Sequence, residues 1–380
     1  MRQMGPDDEL LVVNDGSTDE TESVLREQVG PISTITTRNR GKAAALNLAL
    51  QNTDRPHVWI VDDDDILVPN ARSHLLQQFD RDPGAEIAYG RYLRFNSDGT
   101  EPRGRKSLLQ TGYWVDCKSD RFLLATMEDM FVHQPGMIVA RSLYDRVGPF
   151  DETLNRSVDY DMLVRLAIEG RSVSTDRVVF YQRQHGGLRG SSAARIRSGD
   201  MDEVWVESDE KIFRRLHAEL PLSVYVSKRQ IGNRIDRRQA LLQRGTIMMR
   251  KRAWNIALRD FHLALDQTEA PLRSSDRIIA RRAFSSKYGC RELFRSRSLM
   301  RGIASLAARS AAGRELARAL ARGLFWRVRE AVRNRRPADA ANYAKAVLYF
   351  VFASTRLGAM FMPKPQHSAD TLDQGLTSSS

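Results

Sequence analysis

Short apolar runs alternate with polar, helix-forming stretches through the first half of the chain. Leu10-Leu11-Val12-Val13 is closed by Asn14-Asp15-Gly16, the pattern of a buried strand entering a loop. Thr18 to Val29 then reads as a helix, with Thr18 or Asp19 as its cap and acids in its first turn. Ile32 to Thr36 is β-branched and strand-like, and Lys42 to Leu50 is Ala/Leu-rich and helical. Val58 to Val61 reads as another strand, Asn70 to Phe79 as a helix, and Ile87 to Phe95 as a strand. Strands alternating with helices predict an α/β fold with a mostly parallel sheet flanked by helices. Ligands of such sheets bind beyond the carboxyl ends of the strands.

From about Met201 the strand signals vanish, and Arg, Ala and Leu dominate. Gln239 to Met249, Trp254 to Leu265 and Leu299 to Arg333 carry helical periodicity, punctuated by Pro271 and Pro337. Pro363 to Ser380 is polar and Ser/Thr-rich, the composition of a disordered tail. The expected organisation is therefore an α/β domain over 1–195, a basic all-α region over 196–362 and a tail over 363–380.

Hydrophobic residues make up 42% of the 380, enough for a folded core. The two cysteines, Cys117 and Cys290, lie far apart, which excludes a disulfide scaffold and fits a reducing cytoplasm. The first apolar run is too short for a secretory signal, and no stretch reaches the length of a membrane span. The net charge of +12 is unevenly placed. Residues 1–190 hold 23 Lys/Arg and 29 Asp/Glu, so 23 − 29 = −6; residues 191–380 hold 36 and 18, so 36 − 18 = +18. The second half alone would be drawn to an anionic surface.

Four motifs could carry chemistry. Asp62-Asp63-Asp64-Asp65 follows an apolar run. Adjacent carboxylates repel one another, whereas Mg²⁺ or Mn²⁺ favours oxygen ligands and takes one or two carboxylates plus substrate phosphates. A solvated acidic turn is the alternative. Asp15 stands at a strand end, where it could accept hydrogen bonds from a nucleotide or simply belong to a turn before a capped helix. Arg38-Asn39-Arg40-Gly41-Lys42 opens a helix with three cations, a diphosphate cradle or an ordinary solvated helix start. Asp159 stands at a helix start, where it is either a cap or a general base.

Together these segments resemble the family 2 inverting glycosyltransferases of GT-A type, over about residues 8–190. VVNDGSTD is similar to that family's nucleotide-binding strand end, and RNRGKAAALN to its diphosphate-side helix. VDDDDILVP resembles its DXD metal motif, GMIVARSLYDRVGPFDETL its acceptor-side segment, and VDYDMLVRLAIEG its general-base segment. Tyr181-Gln182-Arg183-Gln184-His185 resembles its closing strand. The resemblance implies Asp159 as catalytic base and Asp15, Arg38, Lys42, Asp62 and Asp63 as contacts to a nucleotide-sugar donor. It also implies Mn²⁺ or Mg²⁺ held by Asp62, Asp64 and His185. The reaction it implies is single-displacement transfer, with inversion, to a glycan or lipid-linked acceptor in polysaccharide or cell-envelope glycan biosynthesis. A catalytically impaired, transferase-like binding module is the rival.

Two departures stand out. The general-base segment usually reads Glu-Asp and here reads Val158-Asp159. The family's usual first strand and helix do not precede Leu10; that strand normally lies inside the sheet, so its absence implies unpaired backbone on the Leu10 strand and a neighbour. A start assigned too far downstream or a genuine truncation with weakened or no activity would explain this, and the intact motifs favour the first. For the basic half, a solvated face, an anionic membrane surface and nucleic acid are the open readings. Nucleic acid is not expected, because no nucleic-acid motif accompanies the charge. The expected location is cytoplasmic and peripheral on the inner membrane face.

Overall fold

A computed structural model describes residues 3–28, 30–96, 110–184, 201–227 and 229–362. His185, the 363–380 tail and most of the 96–117 loop lie outside the described residues. The chain divides into two compact units, Met1–Ser208 and Asp209–Ser380.

The first unit is α/β. Its strands are β1 (Leu10–Asp15), β2 (Ile32–Thr37), β3 (His57–Val58), β4 (Ile66–Leu67), β5 (Ile87–Asn96), β6 (Gln110–Thr111), β7 (Met137–Ala140) and β8 (Ser172–Gln184). Its helices are α1 (Thr21–Glu27), α2 (Lys42–Gln51), α3 (Ala71–Arg81), α4 (Ser119–Glu128), α5 (Arg141–Val147) and α6 (Val158–Glu169). The expected strands and helices form, with two shortenings: α1 begins at Thr21, with Glu20 rather than Thr18 or Asp19 at its cap position, and of the third apolar run only Val58, with His57 before it, enters a ladder. Trp59 leaves it, and its indole Nε1 donates to the Pro135 carbonyl at 2.9 Å.

The strand sense differs from the expectation. β1 and β2 form a parallel pair of their own, while the larger sheet runs β3-β7-β5-β8-β4, with β6 on β5. β5 and β8 are parallel, but β7 and β6 oppose β5, β3 opposes β7 and β4 opposes β8. The sheet is therefore mixed rather than mostly parallel. Hydrophobic patterning fixes which residues face the core, whereas direction is set by connections. Here the Asp62–Asp65 turn, closed by Asp65 N–H to the Asp62 carbonyl at 3.3 Å, reverses the chain into β4. Among the described residues β1 pairs only with β2 and β3 only with β7, so no strand hydrogen bonds join the two sheets. Polar contacts flank that gap: Thr53 Oγ1 donates to Glu9 at 3.0 Å and Arg55 pairs with Glu9 at 3.7 Å.

Helix α3 covers the sheet with Ala71 and Leu75, fully buried against Tyr92, Ile138, Val179 and Phe180. Tyr92 stacks on Phe180 at 5.3 Å between ring centroids. Gly90 permits this closeness, since a Cβ there would stand 2.6 Å from Val179 Cγ1, where the β5–β8 register shifts.

The second unit is all-helical. α7 (Met201–Glu219) leads from one unit into the other. It is followed by α8 (Arg234–Arg250), α9 (Trp254–Leu265), α10 (Ser274–Arg281), α11 (Glu292–Arg295), α12 (Arg297–Arg309), α13 (Ala311–Arg333), α14 (Pro337–Ala353) and α15 (Arg356–Met360). The periodic run from Leu299 to Arg333 is two helices. Ser310 breaks it in extended conformation and caps α13 by accepting from Gly313 N–H at 3.0 Å. Arg238 and Asp276 form a fully buried pair at 3.0 Å, and Arg238 also donates to the Ala270 and Pro271 carbonyls at 2.6 and 3.0 Å.

Arg238→Ala leaves Asp276 buried and unpaired and is expected to cost about 3–5 kcal/mol in urea unfolding. An Arg238→Met/Asp276→Leu double variant should recover most of that. Burial, assisted by the Arg309 guanidinium, pushes the His262 pKa from 6.5 down to about 4. The unfolded chain therefore takes a proton at this position before the folded chain does. Its stabilising contribution is complete above pH 6.5 and is lost as pH falls from there toward about 4. Urea midpoints measured across that range should fall with pH, and His262→Gln should flatten the slope.

Candidate active site

Three segments that are distant in sequence meet around the start of α2. Asp15, the last residue of β1, spends both carboxylate oxygens on backbone: Oδ1 accepts Arg40 N–H and Oδ2 accepts Gly41 N–H, each at 2.8 Å. This clamps the turn that launches α2. Gly16, at φ 74°, allows the turn to close, because a Cβ there would meet Asn39 N at 2.6 Å. Asn14 is buried; its Oδ1 accepts Ser17 N–H at 2.9 Å, and its Nδ2 has no partner among the described residues. Asp19 accepts Thr21 N–H at 3.0 Å and so anchors the first turn of α1.

Lys42, the first residue of α2, points its ammonium at Asp62, with Nζ to Oδ1 at 2.6 Å. Withdrawal from water works against that charge. Attraction from Asp62, then Asp159, then Asp64 outweighs it and raises the Lys42 pKa. The same ammonium therefore lies in the field of two DDDD carboxylates and of the aspartate in the first turn of α6. Asp63 is exposed, while Asp62 and Asp64 are half-buried. Arg38 is exposed at the turn and has no ion-pair partner among the described residues.

Two further bonds fix this arrangement. Arg183 at the end of β8 donates its backbone N–H to Asp65 Oδ1 at 3.0 Å, and its Nε to the Asp64 carbonyl at 3.0 Å. Burial, reinforced by the negative charges of Asp64 and Asp62, lifts the Asp65 pKa to about 7, against the pull of the Arg183 amide. Asn47 on α2 bonds both ways to Phe150: its Oδ1 accepts Phe150 N–H at 2.8 Å and its Nδ2 donates to the Phe150 carbonyl at 3.0 Å. It also donates to Glu152 at 2.9 Å, and Arg40 reaches Glu152 at 3.2 Å. Below, Asp161 is buried and pairs with Arg165 at 2.9 Å, whose guanidinium holds the Pro149 carbonyl at 2.9 Å. The 148–152 loop is thus tied to both α2 and α6. Among the described residues Asp159 accepts the N–H of its neighbour Tyr160, at 3.0 Å.

Asp62, Asp64, Asp159 and Lys42 are therefore brought together, Asp15 holds the loop beside them, and Arg38 and Asp63 stand at the exposed margin. Asn14, Asn47, Asp65, Glu152 and Arg183 carry as much of the geometry but were not singled out from the sequence. All five lie within the quoted motifs, but the roles of Asn47, Glu152, Asp65 and Arg183 became visible only through partners more than 100 residues away. Among the described residues no cluster of three or more His, Cys, Asp and Glu side chains could hold a metal. Mg²⁺ and Mn²⁺ need only one or two carboxylates when substrate phosphates complete the shell.

Residues 1–148 match the family model described as glycosyl transferase family 2. The relatives found are glycosyltransferases. A chondroitin synthase of Pasteurella multocida (strain Pm70) is 28% identical over 190 residues, 49% of this chain and 18% of its own length. A hyaluronan synthase of Pasteurella multocida shows the same identity and coverage. The succinoglycan biosynthesis protein ExoU of Rhizobium meliloti (strain 1021) is 27% identical over 252 residues, 61% of this chain and 70% of its length. The chain thus spans less than a fifth of the two synthases. Among solved structures, S. aureus TarS 1–349 in complex with UDP-GlcNAc is 17% identical, with TM-score 0.41, covering 68% of this chain and 78% of that one. The mannosyltransferase PcManGT from Pyrobaculum calidifontis, in complex with GDP-Man and Mn²⁺, is 16% identical, with TM-score 0.40, covering 83% and 78%. The family 2 resemblance read from the motifs is what these comparisons find.

Asp15→Ala removes the acceptor of two backbone amides and is expected to cost about 2 kcal/mol in urea unfolding, with Asp15→Asn losing roughly half of that. Equal stability of both variants and the parent would remove the clamp assigned to Asp15.

Proposed function

We propose that this family 2 unit transfers a sugar from a nucleoside-diphosphate donor to a glycan or lipid-linked acceptor, with inversion at the anomeric carbon. The observation that carries this reading is the placement of Lys42, 2.6 Å from Asp62 and in the electrostatic reach of Asp159 and Asp64. A base and a cation-binding acidic pair on one patch are what a single displacement requires.

Asp62 and Asp64 would hold Mg²⁺ or Mn²⁺, with His185 as the expected third contact. The ion, when bound, neutralises charge on the leaving diphosphate. Lys42, Arg38 and the first amides of α2 form the protein's own cationic wall for those phosphates. Asp63 and Asp15 take the nucleoside side. Asp159 accepts the proton of the acceptor hydroxyl as it attacks, and no covalent sugar–enzyme bond is needed. Polysaccharide or cell-envelope glycan synthesis is the setting favoured by the chondroitin, hyaluronan and succinoglycan relatives. The basic helical half would hold the enzyme on an anionic membrane face. Among the described residues no helix is long and apolar enough to cross a membrane.

Turnover of a panel of nucleotide sugars with Mn²⁺ or Mg²⁺ tests the reading. Asp159→Asn should lower the rate by about 10²–10⁴-fold while leaving nucleotide-diphosphate binding in a thermal-shift assay intact. Asp62→Asn should weaken the metal-dependent thermal shift as well. Full-length protein that binds nucleotide diphosphate but neither hydrolyses nor transfers any sugar would make the binding-module reading the correct one.

A further inference from the structure

The last two helices expose apolar side chains in a concentration that chance surface exposure does not explain. On α14, Leu348 and Phe352 are 69% and 46% exposed; on α15 and at its C-cap, Leu357, Met360 and Phe361 are 62%, 80% and 72% exposed. Leu348 and Phe352 are spaced i, i+4, and Leu357, Met360 and Phe361 are spaced i, i+3, i+4, so each set shares one helix face. The two faces adjoin. Gly358 lies so close to α14 that a Cβ there would stand 1.9 Å from the Phe352 carbonyl oxygen. Isolated exposed leucines need no explanation, but a contiguous group of large apolar side chains marks a surface that is covered in use.

Charge identifies the cover. Between Ser310 and Met362 the chain holds ten Lys/Arg and three Asp/Glu. All three carboxylates are already paired: Glu315 with Arg277 at 3.3 Å, Glu330 with Arg327 at 2.7 Å, and Asp339 with Arg291 at 2.8 Å. Arg322, Lys345 and Arg356 are exposed and have no carboxylate partner among the described residues. Arg318 donates to the Ser354 carbonyl at 3.3 Å, which sets the Arg318–Arg322 stretch of α13 beside the apolar end of α14. The patch is therefore rimmed by unpaired cations.

We infer that the α14–α15 face docks on an anionic lipid surface, with Leu348, Phe352, Leu357, Met360 and Phe361 entering the interface and the rim cations meeting lipid headgroups. This deepens the membrane attachment proposed for the basic half and rests on that part of the reading alone. A second copy of the chain fits the face poorly: a two-fold contact would bring cation rim onto cation rim with no free carboxylate between them. Nucleic acid would satisfy the cations but leave the apolar side chains without apolar partners. Lipid satisfies both, as amphipathic interfacial helices do.

The test is flotation of the full chain with vesicles of phosphatidylcholine alone or mixed with phosphatidylglycerol, at low and high salt. The parent should float only with the mixed vesicles. The Leu348→Ser/Phe352→Ser/Met360→Ser variant should bind at least about tenfold more weakly, with unchanged helical circular dichroism. If that variant unfolds, Arg322→Gln/Lys345→Gln/Arg356→Gln replaces it, and should show weaker binding with less dependence on salt. Folded variants that float like the parent overturn this face while leaving attachment through another surface. A parent that floats with neither vesicle overturns the attachment itself, and sugar transfer to a soluble acceptor remains a separate measurement. A concentration-dependent dimer that the serine variant abolishes, without vesicle binding, assigns the face to a second copy and overturns the inference.

Discussion

The site depends on placing a single ammonium among several carboxylates. Asp62, Asp64 and Asp159 come from segments nearly 100 residues apart, and like charges gathered on one patch repel. Lys42 offsets that repulsion, at 2.6 Å from Asp62 and in the field of the other two. Its position is set in turn by Asp15, which holds the two amides just before it. Moving either group shifts the start of α2, and with it the cationic wall that faces the acidic turn.

Support for this arrangement is distributed. Arg183 fastens the end of β8 to Asp64 and Asp65, and Asn47 fastens α2 to Phe150. Each bond uses a side chain to satisfy backbone groups of a loop, which is how loops that carry chemistry stay fixed on a rigid scaffold. No strand hydrogen bonds run between the two sheets among the described residues. The polar contacts of Glu9, Thr53 and Lys42 span that division where a backbone ladder does not.

In the second unit the arginines divide into two populations. Arg238, Arg244 and Arg327 are turned inward onto carboxylates and carbonyl oxygens, as in the Arg244–Asp260 pair at 2.6 Å. Others, such as Arg322 and Arg356, stay outside. Composition alone shows a uniformly basic half; the fold decides which charges hold it together and which stay exposed.

The position of β1, β2, α2, α3 and β5 was legible because burial imposes a local period on the residues. Residue type also placed an acid at the β1 tip, an acidic run before β4 and a glycine before a basic helix start. The same local signals missed the opposed direction of β7 and β4, the early exit of Trp59 from its strand and the break at Ser310 inside a continuous helical pattern. Those depend on what lies opposite in space. Sequence alone thus determined the α/β and helical halves, their contrasting charge and the acidic motifs, since these follow from periodicity and side-chain chemistry. Tertiary structure alone decided that Lys42 meets Asp62 within the field of Asp159, that Asp15 grips the Arg40–Gly41 amides and that Asn47 holds Phe150, because hydrogen bonds and Coulomb forces act over a few ångströms whatever the separation along the chain.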